Sequence, residues 1–381
     1  MTRILVTGAR APVALDLARA FRAAGCAVSL ADSVRPFAAA LSRPRFEIER
    51  LPAPRFDFPA FSARMRILAE RFELIVPTCE EVFWLAAAAA RDGWSERLFA
   101  PAPEWLARLH SKALFPDLAR SVGIPAPETT PLASPADLRR LPCLSESLVL
   151  KPEYSRFGAR TLVAPSPRQR ARLSPGPGRR WVAQERIEGD ELCVWSAVRG
   201  GELVGYVAYR PLLRHGRAAS YAFEAVDRPD LRDMAARIGR AVGGDGQLCY
   251  DVIVTAAGRA IPIECNPRSV SGIHLFDSSP ELALAMLKGS PLEPPKAGTI
   301  RYLSPAMAVM GLPAALAGGS LRRWRQVARR GEDCVGRRGD RRPVAGVVLD
   351  AARFALVGLA RMRSPTGQTT DDIEWNGEPI G

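Results

Sequence analysis

Lysine is almost missing from this chain. Of 53 basic residues only four, Lys112, Lys151, Lys288 and Lys296, are lysines; the other 49 are arginines. Arginine therefore serves as the general surface cation, and each remaining lysine marks a place that wants a compact ammonium rather than a planar fork. Histidine is equally scarce, with three residues. The seven cysteines (26, 79, 143, 193, 249, 265 and 334) include no C-x-x-C pair and no cysteine–histidine cluster, which excludes a zinc motif and a disulfide framework and fits a reducing cytoplasm. A dinucleotide fingerprint is also lacking: Gly8-Ala9-Arg10-Ala11-Pro12-Val13 has one glycine where G-x-G-x-x-G has three. The N-terminus runs straight into an apolar strand with no leader-like core, and the longest late apolar run, 344–360, is broken by Asp350 and Arg353. Neither a leader nor membrane insertion is expected.

What is present is a chain of 381 residues with 47% hydrophobic content, enough for two or three domains with real cores. Its formal charge of +13 raises the question of an anionic partner, polymer or small molecule. Residues 3–7, a helical pattern over 13–21 and Cys26–Asp32 read as strand, helix and strand, with Asp32 where a dinucleotide fold would hold ribose. Strand 74–77, a helix from Glu80 through Ala90 and a strand at 98–101 continue the alternation, so an α/β first domain is expected over 1–110. A helix around 111–115, a strand 147–152 ending on Lys151, a polar turn 154–160, an exposed connection 165–177, strands 181–196 and 203–209 and a helix 229–242 predict an α+β body over 111–290. Beyond 291 come helical patterns at 306–317 and 321–330, and an arginine belt (Arg322, Arg323, Arg325, Arg329, Arg330, Arg337, Arg338, Arg341, Arg342). The end, 369–381, is acidic and small.

Two apolar, β-branched arms, 250–254 and 260–268, flank the turn Ala256-Ala257-Gly258-Arg259 and read as a hairpin. Alternation puts Glu264 and Asn266 on one face, with Asp251 opposite on the partner arm. Two carboxylates and an amide oxygen at a sheet end suit a hard cation such as Mg²⁺, completed by substrate phosphates.

In order, the chain carries a lysine before Gly123-Ile124-Pro125-Ala126-Pro127-Glu128-Thr129, a strand ending Leu150-Lys151-Pro152 with a Ser/Gly loop, Gln184-Glu185-Arg186-Ile187-Glu188-Gly189-Asp190-Glu191, an aspartate strand, and Glu264-Cys265-Asn266-Pro267-Arg268. Over about residues 1–285 this resembles the ATP-grasp superfamily, in the branch of carboxylate–amine ligases and the carbamoyl-phosphate-synthase large subunit. The resemblance implies a Rossmann-like domain followed by an ATP-grasp fold, here with a lid at about 145–183 and a C-terminal extension. It implies ATP with Mg²⁺ (or Mn²⁺) as cofactors, small-molecule carboxylate and amine substrates, a cytoplasmic setting and a possible homodimer. By its motifs, Lys112 and Lys151 contact the phosphates; Ser155, Arg156, Phe157 and Gly158 form the loop that closes on them; Gln184, Glu185 and Ile187 meet adenine and Glu191 the ribose. Asp251, Glu264 and Asn266 are the metal ligands. Arg268, with Lys151, stabilises the transferred phosphoryl group. Arg210, Arg214, Ser271, Gly272 and His274 border the acceptor pocket, His274 being open to a core role instead. The loop departs from the family's glycine-richer form, and Cys249 replaces an arginine that some members carry.

Three alternatives stand beside this reading. A nicotinamide oxidoreductase would use the first βαβ unit but lacks the glycines. A nucleic-acid binder would use the arginine belt, which has no stacking aromatic beyond Trp324, so no nucleic acid is expected. A kinase or carbamoyl-phosphate-type synthase is nearer and stays open.

Overall fold

Ile4, Leu5 and Val6 are completely buried, which makes β1 (Arg3–Thr7) a central strand covered on both faces. In this computed structural model, which describes residues 1–141, 146–156, 160–214, 220–362 and 365–381, β1 pairs in parallel with β2 (Ala27–Asp32) and with β4 (Leu74–Val76). β3 (Glu47–Arg50) adds beside β2, giving a parallel sheet in the order β3-β2-β1-β4. Helix Pro12–Ala23 is the β1–β2 crossover, and its buried face of Val13, Ala14, Leu17, Ala18 and Phe21 follows the helical spacing read from sequence. The strand expected at 98–101 is reduced to one bridge between Leu98 and Ile75. β3 escaped notice because three of its four residues are charged.

The chain then builds two further sheets, antiparallel except for the parallel β14–β15 pair. Strands β5 (Thr129–Leu132), β6 (Leu148–Pro152), β7 (Leu162–Val163) and β8 (Trp181–Glu185) form one, ordered β5-β8-β6-β7. The larger holds β9 (Asp190–Arg199), β10 (Glu202–Arg214), β11 (Ser220–Val226), β12 (Gly246–Val254), β13 (Ala260–Asn266), β14 (Ile300–Tyr302) and β15 (Glu332–Asp333), ordered β13-β12-β9-β10-β11-β14-β15. Helix Pro229–Val242 lays Leu231, Met234, Ala235 and Ile238 into the apolar cluster that contains Val194, Val198, Tyr206 and Leu248. Two local expectations change. Lys112 sits in a turn between helices Pro103–His110 and Phe115–Ser121, not in a helix, and the 165–177 connection contains a short helix, Pro167–Ala171.

One buried amide ties the parallel sheet to the large one. Gln247 of β12 accepts from Trp195 Nε1 (3.0 Å) and Ser269 Oγ (2.7 Å) and donates to the Pro77 carbonyl just after β4 (3.0 Å). Buried polar groups of this kind must be satisfied. This one fixes the loop after β4 against the hairpin arm. At the neighbouring loop after β1, Gly8 has φ +70°, and a Cβ there would lie 2.5 Å from Thr78 Oγ1, so only glycine lets the two loops approach.

The C-terminal part folds back onto the first sheet. Helix Arg342–Ala360 is, by length and composition, apolar enough to cross a membrane. Here it packs on helix Phe37–Leu41, with Gly346 so close that a Cβ would meet Ala38 Cα at 2.5 Å. Asp350, which interrupts the apolar run, accepts the first N–H groups of that short helix from Phe37 (3.2 Å) and Ala38 (3.0 Å). The outward face carries exposed Val348, Leu349, Leu356 and Leu359. The arginine belt is divided. Arg322, Arg323 and Arg325 are exposed on helix Leu321–Arg330, whereas Arg337 turns inward to Asp16 and Asp277.

Candidate functional site

Glu264 is the point on which the two lysines converge. β12 and β13 are antiparallel, and Asp251 stands directly opposite Glu264 in their register, with Asn266 two residues further on opposite Cys249. The turn between them closes through Gly258 (φ +78°), whose N–H donates to the Thr255 carbonyl at 2.8 Å. Lys151, the single lysine of β6, lies 3.9 Å from Glu264 Oε2 and donates to the Ile263 carbonyl (3.2 Å). Lys112 comes from its turn to within 3.5 Å of the same oxygen and donates to the Ser155 carbonyl (3.0 Å). Burial pushes the Lys151 ammonium down to about 8 despite Glu264. Burial would raise Glu264, but Lys112 and Lys151 outweigh it and hold the carboxyl at about 2. Asp251 is pushed well above the usual carboxylate range by burial and by the facing Glu264. Two carboxylates pressed together beside an amide oxygen form a donor set that suits a hard divalent cation. The set holds only two acidic residues, and among the described residues no group of three His, Cys, Asp or Glu is placed to hold a metal.

An open cleft of about 750 Å³ lies further along the same strands, lined by Pro125, Ser147, Ile187, Thr255, Arg259 and Ile261 among others. Glu185, Arg186 and Glu188 line it too. Gly189 allows that segment to run tight along the hairpin, since a Cβ there would lie 2.1 Å from the Val254 carbonyl oxygen. The same strands connect the cleft with the charges: Ser147 precedes β6, which ends on Lys151 and Pro152, and Ile261 precedes Glu264 on β13. At about 3.3 Å per residue the four steps from Ser147 to Lys151 cover about 13 Å.

A second cluster stands next to the hairpin. Arg268 donates from Nε to Glu80 Oε1 (2.8 Å) and from Nη2 to Asn266 Oδ1 (3.3 Å). Glu80, in the loop after β4, also faces Arg156 Nε at 3.4 Å and His110 Nε2 at 3.9 Å. Burial alone would raise Glu80; Arg156, Arg268 and His110 reverse that and hold it at about 2. Burial drives His110 down to about 3, so its ring is neutral.

Solved structures of similar architecture share little sequence with this chain. N5-carboxyaminoimidazole synthetase from Staphylococcus aureus, complexed with ADP, superposes with a TM-score of 0.62 at 10% identity over 83% of this chain and 86% of its own. L-amino acid ligase from Bacillus licheniformis gives 0.57 at 16% identity over 77% and 75%. The biotin carboxylase domain of the Hydrogenobacter thermophilus 2-oxoglutarate carboxylase, in complex with MgADP and bicarbonate, gives 0.58 at 14% identity over 78% and 73%. The chain has the ATP-grasp fold. No family model and no curated protein matches the sequence.

Within this ATP-grasp architecture the residues singled out from sequence divide into groups. Lys112, Lys151, Asp251, Glu264, Asn266 and Arg268 come together. Glu185 and Ile187 line the cleft, whereas Gln184 is buried with its amide on Thr129 Oγ1 (3.1 Å) and Glu191 is paired with Arg214 (2.8 Å). Ser155 contributes its backbone carbonyl to Lys112, with its hydroxyl on the Pro152 carbonyl (3.4 Å). Arg156 turns to Glu80 and to Glu374 and the Trp375 carbonyl of the C-terminal segment. Phe157 and Gly158 lie outside the described residues. Arg210 stands opposite Glu224 on β10–β11. Gly272 lies against the core, where a Cβ would meet Trp195 at 2.7 Å, and Ser271 beside it is half-buried. His274 takes the core role: it is buried and bonded to Asp16 Oδ2 at 2.6 Å.

Sequence reasoning missed Glu80 and His110. The available signal was position, since Glu80 follows a parallel strand at its carboxyl end, where open α/β sheets hold ligands, and His110 precedes Lys112 by two residues. Glu80 makes a testable prediction. A carboxyl depressed to about 2 from an ordinary 4.5 stabilises the fold fully above its unfolded value, and that contribution disappears as pH falls through the folded value. Its size is on the order of 3 kcal/mol. Urea unfolding between about pH 5 and 2.5 should show a flatter acid slope in Glu80→Gln than in the parent; equal slopes would contradict the assignment.

Proposed function

We propose that this protein is an ATP-dependent, ADP-forming ligase that activates a carboxylate as an acyl phosphate for attack by an amine. The observation that carries the reading is the convergence of Lys112 and Lys151 on Glu264 opposite Asp251, on strands that lead to a cleft lined by 185–188. In it, residues 1–110 are a Rossmann-like domain, 111–290 the grasp body with its lid at about 145–183, and 291–381 an extension. Support comes from the similar structures, whose names describe synthetases, a ligase and a carboxylase, some of them solved with ADP.

The nucleotide lies with its base in the cleft between β6 and the β12–β13 turn, its phosphates reaching the lysines. Asp251, Glu264 and Asn266 would hold Mg²⁺, which supplies charge neutralisation and orientation of the phosphates. Lys112 and Lys151 each place one compact positive charge against the triphosphate. A substrate carboxylate oxygen attacks the γ-phosphorus, the bond to the β–γ bridging oxygen breaks, and ADP leaves with that electron pair. Arg268 stabilises charge on the oxygens of the transferred group. The amine then attacks the acyl carbon and phosphate departs. Water must be kept away from the acyl phosphate, which it would hydrolyse.

The test is a screen of carboxylic acids and amines for release of ADP and phosphate, with MgADP and NADPH titrations alongside. MgADP binding and ADP release that needs both Mg²⁺ and a carboxylate are the expected results. Binding of NADPH without MgADP would overturn the reading.

A further inference from the structure

The C-terminal segment packs against the second cluster through Arg156. Trp375 is buried, stacks on Phe83 at 4.7 Å and meets the Tyr154 ring edge-on at 5.0 Å. Trp84 Nε1 holds the Ile373 carbonyl at 2.9 Å. Between these anchors Glu374 points inward and both of its carboxylate oxygens are taken by arginines, one by Arg55 and the other by Arg156. Arg156 also donates to the Trp375 carbonyl at 3.2 Å and to Asn376 Oδ1 at 3.3 Å. A carboxylate gripped by two guanidinium groups in a part-buried site is strong recognition.

Arg156 Nε, Glu80 Oε2 and both ring nitrogens of His110 are buried without a close hydrogen bond among the described residues; Glu80 Oε2 instead faces Arg156 Nε at 3.4 Å and His110 Nε2 at 3.9 Å. Glu80 also holds Arg268 (2.8 Å), so Arg156 links the tail to that cluster.

We propose that Arg55 and Arg156 form a carboxylate-binding subsite for the ligase substrate, and that Glu374 occupies it in cis as a tethered stand-in. This rests on the ligase reading for the identity of the ligand, but the subsite itself is defined by the two arginines. A carboxylate-bearing ligand takes the pair by displacing Glu374. Because the tether keeps Glu374 close, the free protein presents the subsite only in the fraction of molecules whose tail has lifted, and the apparent affinity for a free carboxylate falls by that fraction.

The full-length protein is labelled with phenylglyoxal, an arginine reagent, without nucleotide, and modification of Arg55 and Arg156 is followed by peptide mass spectrometry. Glu374→Ala is expected to speed labelling of Arg156 by about ten-fold, and sodium acetate, at constant ionic strength, to slow it again at concentrations about ten-fold lower than any effect on the parent. Glu374→Gln keeps the length of the side chain and serves the same comparison if the alanine variant folds poorly. Acetate that protects neither variant, or protects the parent equally well, would show that the two arginines only stitch the tail down. Since nucleotide is absent, failure here is separable from failure of the ligase reading, which the ADP-release screen decides.

Discussion

Lys151→Ala is expected to lower ADP formation by at least about 100-fold while leaving the fold intact, the scale seen when one preorganised donor to a developing anion is removed. The reason is placement. The Lys151 side chain is 5% exposed, and among the described residues it meets the Ile263 carbonyl and the Glu264 carboxylate, with Asp251 acting on it as well. Burying an ammonium opposes folding unless it is well paired, and at 3.9 Å from Glu264 the pairing is loose. A lysine kept under such conditions is kept for something outside the fold. The variant should therefore unfold within a few degrees of the parent, since it gives up one hydrogen bond worth about 1 kcal/mol and a loose ion pair but no longer has to bury an ammonium. Lys151→Arg should rescue little, because a planar fork cannot replace a point charge in a space shaped for one. Glu264→Ala should behave like Lys151→Ala, since it removes the carboxylate that both lysines address. MgADP titration gives a readout that needs no substrate. Full ADP formation in either alanine variant would contradict the site.

Much of this arrangement could be read in advance because it is local. The Asp251–Glu264 pairing follows from two β-branched arms and a four-residue turn, and alternation alone puts Asn266 beside Glu264. Lys112 and Lys151 stood out by rarity in an arginine-rich chain. What could not be read depends on chain segments far apart in sequence. Arg156 looked like part of a phosphate loop because its neighbours in sequence are Ser155 and Phe157; its guanidinium goes instead to Glu374, 218 positions away. His274 was balanced between pocket and core, and the decision lies with Asp16 on the first helix. The acidic end of the chain gave no pattern at all, since irregular backbone has no period to detect and its partners are single arginines on other elements.

Arg10 shows the same effect with the largest stability consequence. By sequence it is merely the residue that spoils a glycine fingerprint, and Asp32 is an acidic residue awaiting a ribose. In the folded protein Arg10 fills the place itself. Its Nη2 lies 2.6 Å from Asp32 Oδ1 and its Nε 3.0 Å from the same oxygen, while its backbone N–H reaches Asp32 Oδ2 at 2.7 Å. The remaining donors take Asp372 at 2.6 and 2.9 Å, the Thr369 carbonyl at 2.8 Å and Ser33 Oγ at 2.7 Å. The side chain is 4% exposed and Asp32 1%. Arg10→Ala therefore strands two carboxylates, one fully buried, and is expected to cost about 3 to 5 kcal/mol in urea unfolding. The same change should expose the 369–381 segment to limited proteolysis, because Thr369 and Asp372 lose their anchor. Most of the cost comes from uncompensated charge rather than from lost contact, so combining Arg10→Met with Asp32→Asn and Asp372→Asn should recover the greater part of it. A loss below about 1 kcal/mol in Arg10→Ala would mean that water reaches the two acids and that the clamp on the tail lies elsewhere.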